Sequence, residues 1–281
     1  MPDADVFPQL ALVPTKSIRF HERPERRRTT RLTERLRSDA FLRNPPIVAD
    51  MGDGRFLLLD GANRVSAFAD LGLSHVPAQI VDYADPTIEL RGWHHLLLDP
   101  SALDLKTIYG AIKGVELRAL SPAALSRALE FREIYAAWVD HQAQAWGLFP
   151  KGSWPSLAQR MQVLTDVIAC YEHDSPLERI KLASYDELPA VVERQTFELC
   201  LFPILTKEEL MHLVREEQMI PTGITRHLIP GRVLGLNIEI AFLTDLDSEE
   251  EKGAHFRAHL DALELGGRIR YYEEPVFIMN E

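Results

Sequence analysis

The chain has 281 residues, 46% of them hydrophobic and 26% charged, which is the composition of a folded globular protein rather than a disordered one. The formal net charge of −11 disfavours sequence-independent binding to DNA, which depends on a broad basic surface. No apolar run approaches the roughly 18 residues that a membrane helix needs. The acidic start, Met1 to Asp5, lacks the features of a signal peptide, so we expect a cytoplasmic protein that binds no membrane.

The first hundred residues predict a compact α/β unit, because short apolar runs alternate with glycine turns and helical spacing. In chain order we expect a strand ending at residue 20, a helix over 29–39, strands over 46–50 and 56–59 joined by a glycine-rich turn, a helix over 63–71 and a strand over 76–83.

Beyond residue 100 the pattern turns mainly helical. We expect long amphipathic helices over 122–146 and 156–171, helices over 207–217 and 248–264, and short strands near 232–237 and 275–279. The two cysteines, Cys170 and Cys200, stand in apolar surroundings without the spacing of a metal site or a disulfide framework. We expect both to be buried free thiols.

The strongest chemical signal lies where a predicted strand turns into a helix, at Asp60-Gly61-Ala62-Asn63-Arg64. A glycine turn into a helix leaves backbone N–H groups free, and these groups together with the helix dipole attract phosphate. Asp60 can hold a divalent cation, and Arg64 can pair with phosphate oxygens in a bidentate manner. From the residues alone, an Asp-Gly turn beside a solvated surface arginine fits equally well.

This stretch resembles the Asp-Gly-x-His-Arg box of the ParB/sulfiredoxin-like superfamily, including the helix and the Leu-Gly…Val-Pro pattern that follow it. The resemblance implies an α/β (α+β) fold in which Gly61, Ala62, Asn63 and Arg64 bind nucleotide phosphates and Asp60 organises Mg²⁺. One position departs from the box, because Asn63 replaces the histidine. An asparagine amide can donate to a phosphate oxygen, but it cannot carry a positive charge.

The pair His21-Glu22 follows the first strand and precedes an arginine-rich stretch at 23–37. In the free-serine kinase branch of the superfamily, the glutamate of a His-Glu pair at this place is the general base, which implies that role for Glu22. Phosphoryl transfer needs a group that accepts the proton of the attacking hydroxyl. Without the resemblance, a surface Glu22 paired with Arg23 or Arg26 is the stronger alternative.

A second segment resembles this branch, including its siderophore-associated members: Thr225-Arg226-His227 matches the end of their Pro-Pro-x-x-Thr-Arg-His segment. A hydroxyl, a guanidinium and an imidazole suit the carboxylate of a small zwitterion or a product phosphate. Trp93 stands where these kinases have a tryptophan in the substrate pocket, although a core tryptophan fits as well. The following His94-His95 does not predict a transition-metal site, because neighbouring residues on a strand point to opposite faces.

Together these features predict a ParB/sulfiredoxin-like nucleotide-binding core over residues 1–98, with a mainly helical and mixed part over 99–281 that completes the amino-acid site. The expected reaction uses Mg²⁺ with ATP or ADP to phosphorylate free L-serine. We expect Glu22 and the Thr-Arg-His triplet to converge on the cleft at the glycine turn. The preferred nucleotide, the true hydroxyl acceptor and a homodimeric state stay open, and we expect no nucleic-acid partner.

Two alternatives remain. A ParB-like nucleotide-binding regulator or DNA-associated protein without kinase activity would use the shared phosphate box and the arginines of 23–37. The acidic balance and the lack of a readable recognition helix in 122–146 argue against it. A degenerate kinase kept as a structural subunit follows if Asn63 cannot replace histidine.

Overall fold

The computed structural model describes residues 7–99, 103–182, 185, 198–246 and 248–272. The strands are β1 (Gln9–Pro14), β2 (Ile18–Arg19), β3 (Phe41–Leu42), β4 (Ile47–Asp50), β5 (Phe56–Asp60), β6 (His75–Val81), β7 (Glu89–Gly92), β8 (His94–Leu97), β9 (Val115–Leu120), β10 (Ala136–Val139), β11 (Ala145–Pro150), β12 (Leu177–Ile180), β13 (Glu198–Leu201), β14 (Thr225–Leu228) and β15 (Ile238–Glu239). The helices are α1 (Arg26–Asp39), α2 (Ala62–Asp70), α3 (Leu105–Ala111), α4 (Pro122–Glu130), α5 (Leu157–Ala169), α6 (Lys207–Arg215), α7 (Phe242–Asp245) and α8 (Glu249–Leu265).

The chain divides into two compact units. Unit 1 takes the described residues of Met1–Arg19, Pro24–Thr87 and Ile229–Glu281, and unit 2 takes those of Phe20–Arg23 and Ile88–Leu228. Within the described ranges, no helix combines the length and the apolar character needed to cross a membrane.

This division differs from the predicted domains 1–98 and 99–281. The C-terminal part returns to unit 1 because β15 pairs with β3 and α8 packs against β1. The short segment Phe20–Arg23 belongs to unit 2 because Glu22 forms a parallel bridge with Ile220. Such long-range pairings leave no mark in local sequence patterns.

Unit 1 is built on a five-stranded mixed sheet with the order β1-β6-β4-β5-β2. Here β4 pairs antiparallel with β5 and parallel with β6, and α1 packs against α2. The elements predicted for this region are confirmed, including the hairpin turn, where Gly52 and Gly54 have φ near +80°. The sheet and α2 bury Val48, Leu57 and Phe68 completely.

Unit 2 contains a six-stranded antiparallel sheet with the order β12-β8-β13-β10-β11-β9, and β14 pairs separately with β7. The predicted helix over 122–146 is therefore wrong beyond Glu130, because the chain goes on into β10 and β11. Every residue of β10 is buried, so its continuous apolar run belongs to a central strand covered on both faces. The region beyond residue 100, expected to be mainly helical, also contributes strands to this sheet, whereas the helix predicted over 156–171 is confirmed as α5.

Two further expectations need correction. Residues 232–237 form no strand, since Gly235 and Asn237 have φ of 69° and 44° and interrupt an extended backbone. The strand predicted at 275–279 lies outside the described residues. Cys200 is a buried free thiol as predicted, whereas Cys170 is free but half-buried.

Candidate active site

The phosphate loop, residues 60–64, lies in unit 1 between β5 and α2. Gly61 has φ of 100° and precedes α2 without any side-chain cap on the helix. A Cβ at this position would stand 2.8 Å from the Cβ of Pro46, so the turn requires glycine for its conformation and for its space. The uncapped N–H groups of the first turn of α2 are suited to a phosphate.

Arg64 folds back onto the scaffold of its own loop. Its Nη1 donates to the carbonyl oxygens of Asn44 and Pro45 at 2.9 and 2.6 Å, and its Nη2 donates to Asp60 Oδ2 at 2.6 Å. Burial lowers the pKa of Arg64, and the neighbouring Asp60 carboxylate opposes that shift. The guanidinium therefore fixes the loop with three of its five N–H donors, which leaves Nε–H and one Nη2–H for the predicted phosphate contact.

A second arginine shares the Asp60 carboxylate, since Arg232 Nη2 lies 2.5 Å from Oδ2. Gln79 holds the segment that carries Arg232: its Nε2 donates to Gly231 O, and its Oε1 accepts from Val233 N–H, both at 2.9 Å. Two guanidinium groups against one carboxylate leave the loop with a positive balance that favours an anion. Sequence reasoning missed Arg232 and Gln79, although a glutamine within the apolar strand β6 was a visible signal.

Asn63 has a structural role at the position that corresponds to the histidine of the Asp-Gly-x-His-Arg box. Its Oδ1 accepts from the backbone N–H of Glu25 and from the hydroxyl of Thr29, both at 3.1 Å. The side chain thereby ties the start of α1 to the start of α2, so its amide oxygen faces a protein partner. Its backbone N–H lies in the first turn of α2, where a phosphate can bind without using the side chain.

Glu22 meets the segment that precedes the Thr-Arg-His triplet, and this meeting lies within unit 2. Its Oε2 accepts the N–H of Gly223 at 2.7 Å. The N–H of Ile220 donates to the carbonyl of His21 at 2.8 Å. These contacts join segments about two hundred positions apart and give the carboxylate a fixed place. The predicted convergence with the glycine turn stays a prediction, because that turn belongs to unit 1.

The triplet itself is divided between the two faces of β14, contrary to the expectation of a single cluster. Thr225 Oγ1 lies 3.2 Å from His21 Nε2, and the His21 ring meets His227 edge-on at a centroid distance of 5.5 Å. Arg226 places its Cζ 5.0 Å from the centre of the Trp93 ring. The division follows from the alternation of side chains along a strand.

Buried hydrogen bonds continue from Gly223 into the core of unit 2. His95 Nε2 lies 3.1 Å from Gly223 O, and His95 Nδ1 lies 2.7 Å from Tyr171 Oη. Burial lowers the pKa of His95 to about 4, so the neutral ring donates to the carbonyl and accepts from the phenol. Burial also lowers the pKa of His94 to about 4, and its Nδ1 accepts the N–H of Phe202 at 3.2 Å.

Sequence reasoning treated these two histidines only as a weak metal pair. Both histidines are completely buried at the start of β8. His95 has a structural role there, because it supports the loop that holds Glu22. Across the ranges that the structure describes, no three His, Cys, Asp or Glu side chains are arranged as metal ligands.

The amino-acid sequence is similar to those of known kinases. No protein-family model matches the chain. It is 25% identical over 276 residues to "ATP-dependent L-serine kinase SbnI" of Staphylococcus aureus, which covers 98% of this chain and 99% of that protein. It is also 35% identical over 68 residues to an "ATP-dependent L-serine kinase" of Staphylothermus marinus, 24% of this chain and 27% of that protein.

Solved structures share the fold over most of the chain. A C-terminally truncated SbnI from Staphylococcus aureus superposes with a TM-score of 0.71 at 21% identity, covering 90% of this chain and 97% of that one. A variant of "Free serine kinase" in complex with ADP gives 0.69 at 18% identity, covering 86% and 98%. The predicted fold class and the resemblance found in the motifs are confirmed.

Proposed function

We propose that this chain, which resembles the free-serine kinase branch of the ParB/sulfiredoxin-like superfamily along its whole length, is an ATP-dependent L-serine kinase. The product is O-phosphoserine. The observation that carries the proposal is the fixed carboxylate of Glu22, held at 2.7 Å by Gly223 N–H beside β14. The full-length similarity to an L-serine kinase supports it.

Glu22 acts as the general base. Its Oε2 is occupied by Gly223 N–H, and among the described contacts Oε1 is left to accept the proton of the serine hydroxyl. As that proton moves to Glu22, the hydroxyl oxygen forms a bond to the γ-phosphorus of ATP, and the bond from the γ-phosphorus to the bridging oxygen breaks to release ADP. A carboxylate already held by a backbone donor needs little reorganisation for this step.

The residues that we propose for the amino-acid site are Thr225 and His227 on one face of β14 and Arg226 with Trp93 on the other, so a single serine contacts one of these pairs. Thr225 and His227 face His21, which precedes the base, while Arg226 lies over Trp93. Hydroxyl, imidazole and guanidinium donors suit the polar ends of a zwitterion.

The donor phosphates bind to the backbone N–H groups of Gly61, Ala62 and Asn63, with Arg64 supplying positive charge. Asp60 would hold Mg²⁺ through a carboxylate oxygen. The uncapped helix and the positive balance of the loop support this assignment. When bound, Mg²⁺ offsets phosphate charge during the transfer.

The cellular compartment and the alternative function, a DNA-associated regulator, can also be addressed. We propose the cytoplasm as the place of the reaction, because the free thiols Cys170 and Cys200 suit a reducing compartment. A DNA-associated regulator gains no support from the relative that spans the whole chain, since that relative is named as a kinase.

The test is product formation by the wild-type protein. It is incubated with Mg²⁺, either ATP or ADP, and either L-serine, L-threonine or no acceptor, and the products are identified by mass spectrometry. We expect O-phosphoserine with ATP and serine, and less product with the other pairs. Nucleotide binding without any phosphorylated amino acid would overturn the proposal and favour the regulator.

A further inference from the structure

We propose that Arg179 binds the α-carboxylate of the amino-acid acceptor and selects free amino acids over other hydroxyl compounds. This inference rests on the proposed serine kinase function and adds a residue to the acceptor site. Arg179 lies on β12, an edge strand of the six-stranded sheet, and pairs in register with His95 on β8.

The guanidinium of Arg179 lies against the Cα of Gly223. A Cβ built on that glycine would stand 2.5 Å from Arg179 Nε and 2.6 Å from Cζ, so residue 223 must lack a side chain for the arginine to occupy this place. The φ of +82° at Gly223 imposes the same requirement. Since the N–H of this glycine also holds Glu22, the arginine and the base contact the same residue.

Among the described residues Arg179 takes part in none of the ion pairs, whereas Arg118, on the opposite edge strand β9, is paired with Glu116 at 2.6 Å. Two more cations of unit 2 lie around Trp93, with Lys181 Nζ at 5.6 Å and Arg226 Cζ at 5.0 Å from its ring centre. In a protein with a net charge of −11, an arginine held against the glycine that also binds Glu22 favours an anionic ligand.

The acceptor supplies a matching anion. In serine the carboxylate and the hydroxyl are carried on adjacent carbons, so the group that binds the carboxylate must lie close to the base that takes the hydroxyl proton. A guanidinium offers two parallel N–H donors to a carboxylate, which gives direction as well as charge. The buried His95, bonded to Gly223 O, keeps the shared glycine in place between the two.

The experiment compares two acceptors in wild type, Arg179→Gln, Arg179→Lys and the control Arg118→Gln. The acceptors are L-serine and 2-amino-1,3-propanediol, which keeps the amine and a hydroxyl but has no carboxylate. With serine, Arg179→Gln should raise KM about ten- to hundredfold with kcat changed little. Arg179→Lys should recover part of the loss, and Arg118→Gln should stay within about twofold of wild type.

The propanediol decides what Arg179 binds. We expect Arg179→Gln and wild type to use it equally, because there is no carboxylate to lose. If Arg179→Gln loses activity equally with both acceptors, the arginine binds the transferred phosphoryl group or stabilises the fold. If its KM for serine is unchanged, the arginine does not belong to the acceptor site. Either result overturns the inference.

Calorimetric titration of L-serine in the presence of AMP separates this inference from the proposed function. If wild type makes no phosphoserine but binds serine, and Arg179→Gln abolishes that binding, the kinase proposal fails and the carboxylate site stands. If wild type neither binds nor phosphorylates serine, both are wrong.

Discussion

The phosphate loop and the Glu22 site achieve rigidity in different ways. The loop is built from contiguous residues, and it depends on the backbone conformation of Gly61 and on ion pairs that are partly open to water. The Glu22 site joins distant segments through Gly223 and continues into the buried ring of His95. The loop should therefore respond chiefly to backbone changes and to the loss of single charges, whereas the Glu22 site should respond to protonation of the core behind it.

The largest expected effect is the loss of kcat when the proposed base, Glu22, is replaced. Glu22→Gln keeps an oxygen for Gly223 N–H but removes the base, so kcat should fall by about 10²–10⁴-fold. Nucleotide affinity, measured by calorimetry, should not change. Glu25→Gln is the control, because Glu25 is exposed and pairs with Arg28. Unchanged turnover in Glu22→Gln would remove this carboxylate as the base.

The buried histidines predict a loss of stability in acid. His94 and His95 have folded-state pKa values of about 4, below the ordinary 6.5, so the unfolded chain binds protons first as the pH falls. Stability should be fully present above pH 6.5 and should decline down to about pH 4, by roughly 3 kcal/mol for each histidine. Urea unfolding from pH 7.5 to 4.5 measures the decline.

A histidine variant tests the origin of this decline. His95→Gln should give a shallower dependence on pH, while the control His173→Gln should follow wild type because His173 is exposed. Equal slopes in all three proteins would show that the core imidazoles do not carry the effect.

A smaller effect is expected from alanine substitutions at two glycines, which distinguish the cost of a positive φ from the cost of a steric clash. Gly61 and Gly54 both have positive φ, but a Cβ at 61 would strike Pro46 while a Cβ at 54 meets nothing within 4 Å. Gly54→Ala should cost about 1 kcal/mol of unfolding free energy and leave ATP binding intact. Gly61→Ala should cost about 2–3 kcal/mol and weaken ATP binding. Equal costs and equal affinities would show that close packing at Pro46 is unimportant.

The smallest effect concerns the second arginine of the loop. Arg232→Ala removes one of the two guanidinium groups on Asp60, and ATP affinity should fall by about three- to tenfold, less so at high salt. Arg28→Ala is an exposed control in the same unit, and its affinity should match that of wild type. Tighter binding in Arg232→Ala would mean that this arginine competes with the metal for Asp60.

The sequence predicted the N-terminal part of unit 1, residues 24–87, well because its signals are local. The glycine turn, the apolar strand before Asp60 and the helix after it lie within a few residues of one another. Unit 2 was harder to predict, because β10 is apolar throughout and an apolar run of that kind looks like part of a helix until its sheet neighbours are known.

The candidate site was likewise predictable where its signals are local and not where it depends on distant strands. Glu22 and the Thr-Arg-His segment were found by resemblance, but the bond through Gly223, the support from His95 and the place of Arg179 depend on pairings between distant strands. The split of the triplet between two faces follows from the pairing of residues 225–228 with β7, for which the sequence analysis had made no prediction.

The most direct measurement is a crystal structure of the wild-type protein with ADP and L-serine bound. We predict phosphate oxygens within hydrogen-bond distance of the backbone N–H groups of Ala62 and Asn63, and the serine hydroxyl on Glu22. Serine bound away from Glu22, or phosphates bound away from the Gly61 turn, would contradict the assignment of donor and acceptor.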